Sequence, residues 1–379
     1  MNISILADKK DSFVKPIAEG LSRMSRDCGA NPTIVYDAHE ILSLPLDICD
    51  LKPKTVARHI LKGGRYRKRF FGLVERLSEA SVIVVVAHIP SSLSKRLFGN
   101  VELLREALPL TPIVNYDLVY LPVVDKWSDV ILRGETTGLS AKEKHLVSPP
   151  PFGLERYDWY LVVSSAGEVA MPRGPQPLSL VGADLLDGSL YPEQNGEFRV
   201  LVDFEQSRGR YAEYRSIQLE ALENAGIPYD VLEGRFSIEQ IRSRYRAAGA
   251  FMLAHRESFG LPICELQACG SVILLPHPEW APAHWIKPDP HAGGPGAHSS
   301  NFVVYGSDSS SLAERLLEIK ESFSPQTVVR TIEAIQPHLI RGDRSALAHF
   351  FEQVERGRIH SALHHEHASI GKCPPGPGH

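Results

Sequence analysis

Two successive alternations of short β-branched runs and helix-patterned segments constrain the fold of this chain most. In the first half, apolar runs at 2–7, 33–36 and 82–87 are separated by segments with helical spacing. Continuous β-branched runs between helical patterns are typical of a parallel sheet that is covered on both faces. The chain has 379 residues, more than a single hydrophobic core usually organises. We therefore predict an α/β fold with more than one domain.

A new alternation begins at Phe198, with helical spacing at 238–247 and again after 328 and apolar runs at 272–275 and 302–304. It is separated from the first by a polar, turn-forming stretch around 187–197. Such a stretch between two regular patterns is typical of a linker. We predict two Rossmann-like, doubly wound domains that face a central cleft. The predicted boundaries are 1–187 for the N-terminal, acceptor-side domain, 188–197 for the linker, 198–342 for the C-terminal domain, 343–365 for a helix that packs back on the N-terminal domain, and 366–379 for a disordered tail.

Composition excludes several classes of protein. No uncharged apolar stretch reaches the ~18 residues that a membrane-spanning helix needs, and the N-terminus lacks the pattern of a signal peptide. The five cysteines are scattered, without a CxxC pair, which favours reduced thiols over disulfides or a zinc site. The net charge of −4 argues against a general nucleic-acid binder. We therefore expect a cytoplasmic globular protein without a nucleic-acid partner.

Residues 250–276, AFMLAHRESFGLPICELQACGSVILLP, carry the most informative pattern. A strand ends near Ala254, a short loop follows, and a helix begins near Leu261 before the next buried strand. A helix N-terminus at the carboxyl end of a parallel strand presents free N–H groups and a partial positive charge, which suit a diphosphate. Gly260 allows a ligand to approach the backbone, and Glu265 lies about one turn into the helix. The alternative is an ordinary amphipathic helix with two solvated glutamates.

The segment from Glu257 to Glu265 closely resembles the E-x7-E signature of retaining GT-B glycosyltransferases of the GT4-like group. The two carboxylates, the Phe-Gly-Leu-Pro core and the Ala-Cys-Gly ending match in order and spacing. The resemblance implies a nucleotide-diphosphate sugar as donor, bound by the C-terminal domain, and transfer of a sugar, expected to be a hexose, with retention of configuration. It also implies that Glu265 binds the ribose, that Glu257 acts on the transferred sugar, and that the backbone at 259–261 (Phe259, Gly260, Leu261) lines the sugar–phosphate site.

The family's second donor element is an Arg followed five residues later by Lys-Gly, after the first strand of the C-terminal domain. Arg208 with the following glycine fits the Lys-Gly place, but Asp203 stands where the family has the Arg. Because a guanidinium suits phosphate oxygens, the resemblance implies that Arg208 binds the diphosphate, alone or together with Arg210. The alternative for both arginines is a solvated loop charge.

In the N-terminal half, His88 directly follows the strongest strand pattern, VVVA. It is therefore expected at the carboxyl edge of the sheet, where relatives often carry a histidine close to the donor sugar; the alternative is a histidine satisfied by backbone groups.

The loop 8–12 lacks the Gly-Gly pair that the family usually shows, with Lys9, Lys10 and Ser12 as possible substitutes. Residues 115–117 are a candidate for the acceptor wall.

No D-x-D motif occurs in the chain, so we expect a metal-independent reaction that requires no cofactor. The helix N-terminus and Arg208 would stabilise the leaving diphosphate. The family retains the anomeric configuration of the transferred sugar. Our hypothesis is a front-face attack in which the donor phosphate takes the acceptor proton.

A basic stretch points to the acceptor side. Residues 52–69 contain eight Lys or Arg and no acid, with Phe70 and Phe71 beside them. This stretch, at 52–71, could rest on anionic lipid headgroups of a membrane that carries a lipid-linked acceptor. It could also bind an anionic acceptor such as a glycan, or form a solvated helix face.

Two histidine-rich segments and two other classes of function complete the alternatives. The loop 277–300 is a candidate lid or acceptor loop, and the tail histidines at 360–367 are expected at an exposed helix end; neither has the spacing of a metal site. A non-catalytic GT-B partner or scaffold of another glycosyltransferase is one alternative function. An epimerase or phosphorylase on the same fold is the other, although we find no cofactor-lysine motif.

Overall fold

The computed structural model describes residues 1–8, 13–44, 53–86, 95–119, 157–164, 178–193, 197–204, 212–257, 259–289 and 292–359. The described residues form two compact units. Unit 1 contains those within 1–163, 174–181 and 344–359, and unit 2 contains Ser164 and those within 182–343. The side chains of the first part of one long helix, 53–61, and those of 95–99 are not among those described.

Unit 1 is built on a six-stranded sheet with the order β2-β1-β3-β4-β5-β6. The pairs β1–β2, β1–β3, β3–β4 and β5–β6 are parallel. The first strand lies between the second and the third, so the sheet grows in both directions, as in doubly wound folds. The strands are β1 (Asn2–Leu6), β2 (Asn31–Val35), β3 (Val82–Val86), β4 (Ile113–Val119), β5 (Trp159–Ser164) and β6 (Leu178–Leu180).

The helices of unit 1 cover this sheet. The helix α3 contributes Phe70, Leu73 and Leu77 to a core that also contains Ile83 and Val85 of β3. The five residues of β3 are all buried, which explains the continuous β-branched run in the sequence. The described helices of this unit are α1 (Val14–Asp27), α2 (Ala38–Leu42), α3 (Pro53–Leu77), α4 (Lys95–Ala107) and, after unit 2, the C-terminal helix.

Unit 2 repeats this design with a five-stranded sheet of order β11-β10-β9-β7-β8, in which all four pairs are parallel. Its first strand again lies between the second and the third. The strands are β7 (Val200–Val202), β8 (Tyr229–Val231), β9 (Ala250–Met252), β10 (Val272–Leu275) and β11 (Phe302–Val304). The helices are α5 (Ala212–Ala225), α6 (Ile238–Ala247), α7 (Leu261–Ala268), α8 (Ser309–Ser322), α9 (Pro325–Ile335) and α10 (His338–Arg341).

Local sequence explains where several helices begin. Ser237 caps α6 in a capping box with Gln240, in which each side chain bonds the other residue's backbone N–H. The Asp308 side chain accepts from the amide of Ser311 at the start of α8. Such caps satisfy N–H groups that the first helical turn leaves without a partner. The prediction of two Rossmann-like, doubly wound α/β domains is confirmed by both sheets.

The unit boundary precedes the stretch predicted as the linker. Residues 182–193 belong to unit 2, because Ala183 and Leu185 donate backbone bonds to His338 and Ile340. The C-terminal helix, α11 (Arg344–Glu355), returns to unit 1. There Arg344 forms an ion pair with Asp27 at 2.8 Å.

Two details differ from the sequence pattern. The strand β6 was not predicted, because three residues carry too little periodicity to be recognised. The helical spacing after residue 328 is divided among α9, α10 and α11. The tail 366–379 lies outside the described residues. Within those residues, no helix has the length and apolar character that crossing a membrane requires.

Candidate functional site

The candidate site lies where the strand order of unit 2 reverses. The strands β7 and β9 are neighbours, with Val202 beside Met252, and their carboxyl ends lead into Asp203 and into the loop that precedes α7. In open parallel sheets, ligands bind outside the carboxyl ends of the strands at this reversal point. The E-x7-E segment therefore occupies the position where a doubly wound unit binds a ligand.

The N-terminus of α7 depends on Gly260. This residue has φ 64°, and a Cβ on it would lie 2.6 Å from Cδ1 of Ile263, so only glycine fits without strain. The Gly260 carbonyl accepts from the amides of Ile263 and Cys264, at 2.9 and 3.3 Å. Pro262 has no N–H to donate. Within the described residues, the amides of Gly260 and Leu261 have no such partner and are the ones that can bind an anion.

A buried histidine fixes the loop in front of α7. His284 Nε2 donates to the Phe259 carbonyl oxygen at 2.7 Å, and the two rings are stacked with centroids 6.0 Å apart. Complete burial lowers the His284 pKa to about 3, against the opposing effect of the bond to the Phe259 carbonyl. The imidazole is therefore neutral at physiological pH. The Phe259 side chain is 0% exposed, so this residue offers a ligand only its backbone.

The loop that contains His284 also forms a hydrogen bond with the backbone of Glu257. The amide of Ala281 donates to the Glu257 carbonyl oxygen at 3.0 Å. Ala281 has φ 54°, a conformation that is costly for a residue with a Cβ. Trp280, Ala283 and Trp285 of the same loop are also buried. The part of 277–300 that was predicted as a candidate lid is thus packed against the loop of the candidate site in this structure.

Glu265 is buried and paired with an arginine from α6. Its Oε1 accepts from Nε and Nη2 of Arg242, at 3.1 and 2.5 Å, and the two side chains are 8% and 5% exposed. Burial raises the Glu265 pKa, and the charge and hydrogen bonds of Arg242 oppose that effect. Both bonds end on Oε1. Within the described part of the chain, Oε2 accepts no hydrogen bond, so it can accept from a ligand hydroxyl.

Arg242 also reaches the segment that follows the unit boundary. Its Nη1 donates to Asp187 Oδ2 at 2.6 Å and to Ser189 Oγ at 2.8 Å. Burial disfavours the arginine's charge, but the two carboxylates raise its pKa above the ordinary value. The network therefore joins α6, α7 and the segment at 187–189 through one buried cation.

Glu257 contacts a histidine that lies between two carboxylates. His255 Nε2 is 2.7 Å from Glu257 Oε1, and His255 Nδ1 is 3.4 Å from Asp203 Oδ2. Burial lowers the His255 pKa, but the two carboxylates outweigh this effect and raise it to about 10. The imidazole is therefore a cation at neutral pH. Asp203 stands at the position where the resemblance would place an arginine.

The structure brings five of the predicted residues together and leaves six outside the described residues. Glu257, Phe259, Gly260, Leu261 and Glu265 lie on one loop and helix at the carboxyl end of β9. His88, Arg208 and Arg210 fall in segments that the structure does not describe, as do Lys9, Lys10 and Ser12.

Sequence analysis missed the partners of both glutamates. His255 is two residues before Glu257. Asp203 and His255 each lie shortly after the end of a strand, and this shared position is a signal that could have placed them together. Asp203 was read only as a departure from the family pattern. Arg242, on a different helix, carries no local signal that would connect it with Glu265.

The candidate acceptor wall lies in unit 1. Residues 115–117 lie within β4 and are buried. Across the described residues, no group of three or more His, Cys, Asp or Glu side chains is arranged to hold a metal ion.

The basic stretch forms part of α3. The side chains of Lys62, Arg65, Arg67 and Lys68 are exposed, whereas Arg69 is paired with Glu40 at 3.1 Å. The two phenylalanines differ: Phe70 is 7% exposed, in the core, and Phe71 is 62% exposed. The helix is therefore amphipathic, with a cationic outer face that includes one exposed aromatic ring.

Comparison with known proteins finds likeness in structure only. No protein-family model matches the sequence, and no curated protein matches it. The solved structure of LpCGTa in complex with UDP is similar with a TM-score of 0.48 and 12% identity, over 93% of this chain and 99% of that one. CalG4, the calicheamicin glycosyltransferase, is similar with a TM-score of 0.44 and 15% identity, over 94% and 98%. Anabaena Alr3699/HepE, in complex with UDP and glucose, is similar with a TM-score of 0.47 and 11% identity, over 94% and 100%. At these identities the likeness concerns the fold alone, and no site residue is transferred from these proteins.

Proposed function

We propose that this protein is a glycosyltransferase that takes its sugar from a nucleotide-diphosphate donor. One observation carries the proposal: the E-x7-E segment lies at the reversal point of the unit 2 sheet, with a glycine-dependent helix N-terminus between its two carboxylates. Anion-binding amides, an acceptor for a ribose diol and an acceptor for a sugar hydroxyl are the groups that such a donor needs.

The chemical groups of this site match the parts of a nucleotide-diphosphate sugar. The amides of Gly260 and Leu261 bind the diphosphate together with the positive end of α7. Glu265, fixed through Oε1, presents Oε2 to the ribose hydroxyls. Arg208 and Arg210 add positive charge at the phosphates, which stabilises the leaving group without a metal ion or another cofactor.

The reaction we propose is transfer of a hexose with retention of configuration, as in the GT4-like group. Glu257 accepts from a hydroxyl of the transferred sugar, and His88, which the resemblance implies is close to the donor sugar, is the second catalytic candidate. An inverting course would instead need a general base beside the acceptor hydroxyl. Proton NMR of the product formed from an α-linked donor distinguishes the two, because retention gives an α-linked product and inversion a β-linked one.

A panel of nucleotide sugars and free nucleotides in a thermal-shift assay tests the proposed donor. A ligand at about one hundred times its dissociation constant stabilises the fold by about 2.7 kcal/mol. We expect a shift with at least one nucleotide sugar, lost in Gly260→Ala and retained in Gly234→Ala, another glycine with positive φ in unit 2. No shift with any member of the panel would contradict the proposal.

The acceptor we propose is a glycan or a lipid-linked glycan, reached at the inner face of a membrane through residues 52–71. The exposed Lys and Arg of α3, with Phe71 among them, support this contact, because cations and an aromatic ring suit an anionic lipid surface. Co-sedimentation with phosphatidylcholine vesicles, with and without phosphatidylglycerol, tests it. We expect binding only to the anionic vesicles, weakened by salt and by Arg67→Ser with Lys68→Ser. The matched control is Arg315→Ser with Lys320→Ser on α8.

A non-catalytic partner of another glycosyltransferase is the second candidate function. Asp203 in place of the family's arginine favours it, since the diphosphate site then has one cation fewer. Turnover of the nucleotide sugar identified in the panel, with and without acceptor, separates the two functions. A protein that binds the donor but never consumes it is a partner or scaffold.

A further inference from the structure

The contacts between Asp203, His255 and Glu257 form a chain whose Asp203 end is held by neighbouring hydrogen bonds. Asp203 accepts from the amides of Phe204, at 2.8 Å, and Ala254, at 3.3 Å. Its carbonyl oxygen accepts from the Arg215 guanidinium of α5. Among the described residues, the carboxylate of Glu257 has one polar partner, Nε2 of His255 at 2.7 Å.

We propose that His255 is a positioning residue that holds the Glu257 carboxylate in one orientation through the 2.7 Å contact at Nε2, with the charge of Asp203, 3.4 Å from Nδ1, keeping the imidazole beside the end of β7. This inference rests on the proposed function, because it assigns Glu257 to the donor sugar. One oxygen of Glu257 is then occupied by the imidazolium, and the other is aimed at a sugar hydroxyl. The sequence resemblance assigns no role to His255.

The charges explain why an imidazole serves here better than a neutral donor. Two carboxylates beside a diphosphate raise the energy of the bound donor by like-charge repulsion. The imidazolium offsets one of those charges while it leaves the second oxygen of Glu257 available to accept. A neutral glutamine at 255 could donate to Glu257 but could not offset its charge.

Nitrogen-15 NMR of the histidine rings tests the chain without any ligand. We expect the ring of His255 to be protonated on both nitrogens at about pH 8, well above the ordinary histidine pKa of about 6.5. Glu257→Gln is expected to lower the midpoint of that titration, and His349→Gln, at an exposed position of α11, to leave it unchanged. A His255 midpoint near the ordinary value, or one that Glu257→Gln does not move, would overturn the proposal.

Calorimetric titration with UDP and with UDP-glucose, the probes chosen, tests the consequence for the sugar. His255→Gln is expected to weaken binding of UDP-glucose on the order of tenfold, as for loss of a charge-assisted hydrogen bond, and to leave UDP within about twofold. Asp203→Asn is expected to act in the same direction, and it serves if His255→Gln does not fold. Equal weakening of both probes, or of neither, would overturn the positioning role.

The two measurements separate failure of this inference from failure of the proposed function. If the wild-type protein binds neither UDP nor UDP-glucose, the donor proposal fails for uridine nucleotides, and the NMR titration still decides whether His255 holds Glu257. If both probes bind but His255 titrates normally, the donor site stands and the positioning role is wrong.

Discussion

Replacing Arg242 with methionine measures how strongly the buried network stabilises unit 2. Methionine keeps much of the aliphatic volume and removes the cation from Glu265, Asp187 and Ser189. At the 3.1 Å separation of Arg242 Nε and Glu265 Oε1, two unit charges attract by about 5 kcal/mol at an effective dielectric constant of about 20. Desolvation of both groups offsets much of this in the intact pair, but the variant leaves one buried carboxylate without its cation. Loss of one partner of a buried pair typically costs about 3–5 kcal/mol.

The assay is urea unfolding followed by tryptophan fluorescence. In a background with Trp127→Phe and Trp159→Phe, the signal comes from Trp280 and Trp285, which belong to unit 2. We expect Arg242→Met to lower the free energy of unfolding by about 3–5 kcal/mol near pH 8. The loss should shrink as the pH falls, because burial raises the pKa of Glu265 and the protonated acid needs no cation.

The matched control is Arg315→Met on α8. Arg315 pairs with Glu318, but those side chains are 55% and 63% exposed, and such pairs contribute at most about 1 kcal/mol. If both variants lose the same stability, or if the loss from Arg242→Met does not depend on pH, the network does not act through the charge of Glu265.

Three further predictions concern the loop and strand ends around α7. Gly260→Ala should destabilise unit 2 by about 1–3 kcal/mol in urea unfolding, because φ 64° and Ile263 both oppose a Cβ; unchanged stability would contradict that geometry. His284→Gln keeps a donor for the Phe259 carbonyl oxygen. Because the folded pKa of His284 is about 3, acid protonates this histidine in the unfolded chain before the folded one, so the wild type loses stability as the pH falls from about 6.5 towards about 3. The variant should lose less stability over that range, and parallel pH profiles would refute this expectation. His255 has a raised folded pKa of about 10, so its contribution is complete below about pH 6.5 and is lost as the pH rises towards 10; His255→Gln should flatten that alkaline decline by up to about 1.4 kcal/mol per pH unit.

Much of the fold was predictable because its signals are local. The bounds of α6, β10 and β11 agree with the predicted segments 238–247, 272–275 and 302–304, since each has a clear period or a continuous apolar run between turn residues. The short strand β6 and the division of the last helices lacked such a signal. The position of the E-x7-E segment after β9 followed from the same local pattern.

What the sequence by itself determined is which residues form the strands and helices, and that a glycine and two glutamates frame one helix N-terminus. These properties depend on backbone preference and on hydrophobic period within a few residues. Only the tertiary structure decided that Arg242 of α6 is the partner of Glu265, and that Asp203 meets His255. Those contacts depend on the order and register of β7 and β9 and on how α6 packs beside α7. Periodicity shows which face of an element is buried, but it carries no information about which polar groups will meet there.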